Sequence, residues 1–188
     1  ASNGGTWDVV NPATEEVVRT VPYGNGDDCR AAIEAAERAL PAWSKMTAWE
    51  RGDILMKASR LIKERIPELH KTNIAESGKP IADAKGDWGA ASALFEWFAE
   101  EGKRAYGRTL PARKPGRRNM VIKQPIGVVG IITAWNFPAY NPSRAMAAAL
   151  AAGCTIVVRP SEYTPLTAMG MVQILEEAGI PKGVVNLV

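Results

Sequence analysis

Two apolar runs, I-G-V-V-G-I-I at 126–132 and C-T-I-V-V at 154–158, are rich in β-branched residues and do not alternate with polar ones. Such runs suit strands covered on both faces, as in parallel sheets. Parallel neighbours need a crossover, and the chain supplies one. Asn141-Pro142 has the form of an N-cap and first helical residue, a mostly alanine stretch follows, and Gly153 can stop the helix. The plan then repeats. Thr164-Pro165 is again cap and first residue, Ala168, Met171, Val172, Leu175 and Ala178 share a face, Gly179 closes the helix, and 184–188 reads as a third strand. The order β-α-β-α-β predicts an α/β fold: a parallel, Rossmann-like nucleotide-binding sheet with helices on both faces.

Each of the first two runs breaks into a constrained polar segment. The breaks are Trp135-Asn136-Phe137-Pro138 and Arg159-Pro160-Ser161-Glu162. In parallel neighbours both breaks lie at the carboxyl edge of the sheet, where open α/β sheets bind their ligands.

W-N-F-P followed about twenty residues later by R-P-S-E resembles the aldehyde dehydrogenase superfamily. N-P-A-T at 11–14, E-S-G-K-P at 76–80 and A-A-G-C at 151–154 fit the same family, so the resemblance runs over essentially the whole chain. E-W-F-A-E-E at 96–101, with Tyr106-Gly107, is similar to succinate-semialdehyde dehydrogenases.

The resemblance implies roles for named residues. Asn136 is the catalytic candidate. Its side-chain amide would donate to the oxygen of the thiohemiacetal formed when a thiolate attacks an aldehyde; losing such a donor typically costs about 3–4 kcal/mol. Ile132, Thr133, Ala134 and Trp135 would lie along the nicotinamide half of a dinucleotide. Ala134 stands where the family often has Pro. Arg159, where Lys is usual, would meet the adenosine ribose, and Glu162 would accept from ribose hydroxyls; Pro160 and Ser161 between them, and Asn136 itself, would also bind the cofactor. Glu162 favours NAD by repelling a 2′-phosphate; NADP is the alternative, because Arg159 could pair with that phosphate. Arg144, eight residues after Asn136, corresponds to the Arg that holds a distal carboxylate in succinate-semialdehyde dehydrogenases. Ala145 follows it, where Lys is common. The other reading of Arg144 is a tie between its helix and a neighbouring carboxylate. No metal is expected.

The same resemblance divides the chain. Residues 1–105 and 125–188 correspond to the N-terminal part of a cofactor-binding domain. Residues 106–124, punctuated by Pro111, Pro115 and Gly116, correspond to a β-ribbon that pairs with a neighbouring subunit; the alternative is a mobile surface hairpin. The family's nucleophile, its general base and a G-x-T-x-x-G loop belong to segments beyond Val188. The expectation is therefore a truncated aldehyde dehydrogenase fold without its catalytic domain, inactive alone. Its parent would oxidise succinate semialdehyde or a similar ω-carboxy aldehyde to the acid. The competing class is a non-catalytic cofactor-binding remnant or assembly subunit. Acyl-transferring and phosphate-reducing branches fit W-N-F-P and R-P-S-E less well.

Charge narrows the partners. The net charge is +3 with both signs interspersed, which does not favour nucleic acid. Arg113, Lys114, Arg117 and Arg118 sit among Pro and Gly and read as a solvated hairpin tip. No run has transmembrane length and no signal segment opens the chain, so no membrane partner is expected. Two cysteines, Cys29 and Cys154, make no disulfide framework and fit a cytoplasmic or similarly reducing compartment. Cys154, opening a strand, reads as a small apolar residue rather than a nucleophile. The single histidine, His70, reads as a surface helical residue.

The remaining elements follow from local signals. Residues 6–10 and 17–21 predict a hairpin about Asn11-Pro12-Ala13-Thr14. Asp27 or Asp28 caps an alanine-rich helix that Pro41 ends. Thr47 and Glu50 have capping-box spacing. Pro67 starts a further short helix, and Pro80 is the first residue of a long one. Trp88, Trp97 and Phe98 read as core or interface anchors.

Overall fold

The computed structural model describes residues 4–188. It begins with a hairpin, β1 (Thr6–Val10) and β2 (Val17–Pro22). Three long helices follow: α1 (Gly26–Lys45), α2 (Ala48–Ser77) and α3 (Ile81–Glu101). An excursion carries β3 (Arg108–Pro111) and β4 (Arg118–Val121). The chain then runs β5 (Val128–Ile132), α4 (Tyr140–Ala151), β6 (Thr155–Arg159), α5 (Pro165–Ala178) and β7 (Val185–Leu187).

Strands β5, β6 and β7 form a parallel sheet in that order. Side chains alternate across it. Ile131, Ile156 and Val158 point into the main core with Trp43, Leu55, Trp88, Phe95, Met146 and Met171. Thr155 points to the opposite face, where its hydroxyl donates to the Ala36 carbonyl of α1 at 3.0 Å. Helices therefore cover both faces, as the unalternating apolar runs require. Ribbon β3–β4 is an antiparallel pair apart from this sheet, with both strands exposed.

Several local signals misplace boundaries. β5 begins at Val128, two residues late, because Gly127 turns the chain at φ +115° and Ile126 stays exposed. β6 runs one residue further than the apolar pattern and ends on Arg159. Asn25, not Asp27 or Asp28, caps α1; Asp28 completes the box by accepting from the Asn25 backbone N–H at 2.9 Å. Pro41 does not end α1 and Pro67 does not begin a helix, since α1 and α2 run through them. Proline inside a helix costs about 3 kcal/mol. Packing outweighs that here, because Ile62, Ile66 and Leu69 continue one apolar stripe across Pro67 into the core. Pro80 occupies the cap position of α3 rather than its first turn. Trp88 is a core residue, Phe98 packs partly against the core, and Trp97 is exposed. Gly153 has φ +87°, and a Cβ there would lie 3.0 Å from Pro125 Cγ, so the turn into β6 needs glycine.

Candidate functional site

The parallel register sets Ile132 opposite Arg159. Both strands end there, so the two polar breaks leave the sheet side by side. Two bonds tie them: Thr133 N–H donates to the Arg159 carbonyl at 3.2 Å, and Thr164 Oγ1 donates to the Trp135 carbonyl at 3.4 Å. Ile132 is 81% exposed and Trp135 59%. Large apolar residues held outward at a sheet edge suit a ligand surface better than a core.

A cleft of about 480 Å³ opens on the α1 side of this edge. Ile132, Arg159, Pro160, Ser161 and Glu162 line it, facing Trp7, Tyr23 and Cys29. Arg159 and Glu162 form an ion pair at 3.1 Å across its rim, their side chains 44% and 29% exposed. Apolar walls with one charged pair are typical of small-ligand pockets, and the volume lies within their usual range. The rim offers guanidinium donors and a carboxylate acceptor for hydroxyl groups, so these residues fit the ribose end of a dinucleotide.

The helix after each break receives its cap from far away. Sequence places a cap at Asn141 for α4, but α4 starts at Tyr140 and has no side-chain cap at Ala139; Pro142 is its third residue. Asp87 of α3 does the work. Its side chain is fully buried and accepts from Ala139 N–H at 3.2 Å, Tyr140 N–H at 2.9 Å and Asn73 Nδ2 at 2.9 Å. Lys79 Nζ lies 3.5 Å from the same carboxylate and 4.0 Å from the Phe137 ring centroid. One ammonium thus joins the carboxylate to the loop it fixes.

Helix α5 repeats the arrangement. Thr164 and Pro165 stand at its cap and first positions, as expected, but the Thr164 side chain makes no cap hydrogen bond. Glu76, 3% exposed, accepts from Leu166 N–H at 2.7 Å and Thr167 N–H at 2.8 Å. Burial pushes its carboxyl up to about 7, against the pull of those two N–H groups. Sequence singled out neither Asp87 nor Glu76 as functional. Asp87 stands on the apolar face of α3 and Glu76 beside buried Asn73 near the end of α2, and neither position carries an address for its partner.

Asn136 is exposed beyond the cleft. Its Oδ1 accepts from Asn141 Nδ2 at 3.1 Å, and its own amide N–H groups meet no acceptor among the described residues. A carboxamide held by its oxygen presents two donors outward. Arg144 is exposed on the next turn, its guanidinium 5.6 Å from the Tyr140 ring centroid, and no ion pair among the described residues involves it. Cys154 is 3% exposed, the setting of a packing residue. Among the described residues no cluster of His, Cys, Asp and Glu could hold a metal ion, and no helix is long and apolar enough to cross a membrane.

Comparison with known proteins gives a consistent result. The family model described as aldehyde dehydrogenase family matches residues 1–188. The chain is 49% identical to a glutarate-semialdehyde dehydrogenase of Pseudomonas putida and 48% identical to the succinate-semialdehyde dehydrogenase [NADP(+)] of Escherichia coli, each over 188 residues. It matches a crystal structure of succinate-semialdehyde dehydrogenase from Burkholderia pseudomallei with TM-score 0.98 and 45% identity. In all three the match covers 100% of this chain and 39% of the relative.

Proposed function

The chain belongs to the aldehyde dehydrogenase family, and from that premise we propose that it forms the dinucleotide-binding part of an enzyme oxidising ω-carboxy aldehydes to their acids. The observation that carries this reading is the pairing of Ile132 with Arg159, which gathers Asn136 and the Arg159–Glu162 pair at one sheet edge. The similarity to the glutarate- and succinate-semialdehyde dehydrogenases supports the substrate class.

Each residue has a distinct task in this reading. Glu162 accepts from ribose hydroxyls and Arg159 donates at the same end, with Pro160 and Ser161 setting the loop between them. Ile132, Thr133, Ala134 and Trp135 form the surface along the nicotinamide half. A nicotinamide dinucleotide, NAD in first place and NADP as the alternative, supplies the hydride acceptor when bound. Asn136 donates to the oxygen that gains charge as a thiolate adds to the aldehyde carbon. The thiolate is a cysteine other than buried Cys154. Arg144 pairs with the substrate's distal carboxylate. Residues 106–124 serve as a pairing ribbon for a neighbouring subunit, and residues 1–105 with 125–188 serve as the cofactor-binding part.

Arg144→Ala in the full-length enzyme tests the substrate class. A hydrogen bond to a charged group contributes roughly 1.5–3 kcal/mol, about one to two decades in kcat/KM. Succinate semialdehyde oxidation should fall by that much while propanal oxidation is spared. Equal losses on both aldehydes would return Arg144 to a structural role.

A further inference from the structure

We propose that Asn141 is a positioning residue that sets which end of the Asn136 carboxamide faces the reacting carbonyl. The inference rests on the reading of Asn136 as the oxyanion donor and extends it.

The two ends of a carboxamide are nearly equal in size and opposite in hydrogen-bonding character. Its terminal torsion is broad and roughly two-fold, so an unpartnered amide samples both. Only one end is useful here. With Nδ2 toward the substrate the amide stabilises a developing oxyanion; with Oδ1 there it repels one. Asn136 therefore needs a partner that recognises its oxygen. Asn141 provides it by donating Nδ2 to Asn136 Oδ1 at 3.1 Å.

Asn141 also stands on a rigid base. Its backbone N–H donates to the Phe137 carbonyl at 2.9 Å. The residues just before it are held by the buried Asp87 carboxylate through Ala139 and Tyr140. Pro142 and Ser143 behind it are buried. The side chain reaches back five residues from a fixed turn, so the choice of amide end is built into the fold. This also accounts for Asn141 within a helix start that it does not cap: its polar side chain is engaged with Asn136 instead.

The test uses the full-length enzyme and propanal, so that carboxylate recognition does not enter. Asn141→Leu removes the partner and frees the amide to sample both ends; kcat should fall about two-fold to five-fold. Asn141→Asp supplies only acceptors, draws Asn136 Nδ2 to itself and turns the oxygen to the substrate; kcat should fall about 10²–10³-fold. Cofactor KM and the melting temperature should stay unchanged in both variants. The new charge of the aspartate is separated from amide reversal by adding Asn136→Ala. In that background Asn141→Asp should cost nothing further if it acts through the amide. Equal effects of Asn141→Leu and Asn141→Asp, or a full additional loss in the double variant, would overturn the proposal. An Asn136→Ala enzyme with undiminished kcat would instead overturn the oxyanion reading beneath it.

Discussion

Glu76 should make the stability of this protein fall as the pH rises through neutrality. The carboxylate is buried at the start of α5, and burial moves its titration from an ordinary 4.5 up to about 7. Between those values the folded protein holds a proton that the unfolded chain releases. Stability is then greatest below the unfolded value, declines through the window, and levels off above the folded value. A shift of that size corresponds to about 3 kcal/mol at roughly 1.4 kcal/mol per unit. Glu76→Gln provides the reference, because it keeps the shape and one acceptor oxygen but cannot titrate. Urea unfolding of both proteins between about pH 5 and about pH 8 isolates the group. The stability of the native sequence minus that of Glu76→Gln should drop by about 2–3 kcal/mol across the range. A difference that stays constant would refute the argument. It would mean that the Leu166 and Thr167 N–H groups and the α5 dipole fully offset desolvation.

Three further outcomes follow from the same geometry. Asp87→Ala strands the Ala139 and Tyr140 N–H groups and the Lys79 ammonium, and should cost about 3–5 kcal/mol, read as a fall in melting temperature. If Arg159 and Glu162 meet the adenosine ribose as proposed, Glu162→Gln in the full-length enzyme removes a carboxylate that would repel a 2′-phosphate and leaves Arg159 free to bind it, so the ratio of kcat/KM for NADP to that for NAD should rise about tenfold. Changing both Met120 and Ile122, exposed at 76% and 67%, to Lys should weaken self-association in sedimentation if the ribbon edge pairs with a second copy.

The fold was legible where its causes are local. The β-branched runs, the Thr47–Glu50 box and the glycine stop at Gly179 each act within a few residues, and each appears in the structure. The sheet-edge position of Trp135–Pro138 and Arg159–Glu162 followed from strand type alone. Signals failed where a distant partner outweighs a local preference. Asn141-Pro142 has every mark of a cap, yet Asp87 caps the helix from 52 positions away. Pro41 and Pro67 mark breaks that packing overrides. Trp7 and Tyr23, which meet at 5.7 Å beside the Arg159 cleft, had no sequence signal because the hairpin's docking place is a tertiary fact.

Those distant partners form a pattern that bears on the site. Helices α4 and α5 each receive an acid at the amino end and a base at the carboxyl end. For α4 these are Asp87 and Arg51, whose Nε donates to the Ala151 carbonyl at 3.2 Å. For α5 they are Glu76 and Lys57, whose Nζ donates to the Glu177 carbonyl at 3.1 Å. In their ionised forms all four match the sign of the helix dipole, and all four come from the α2–α3 pair. That pair is itself fixed by the Ser59 and Ser92 hydroxyls, buried against one another at 2.9 Å. A strand end can set where a loop departs, but only a fixed helix start sets where it arrives. Both polar segments therefore have both ends pinned, one by the sheet and one by a buried carboxylate. Asn136 and Glu162 then hold their places before any ligand arrives, as the roles proposed for them require: the first as a preorganised donor to a developing charge, the second as an acceptor for ribose hydroxyls.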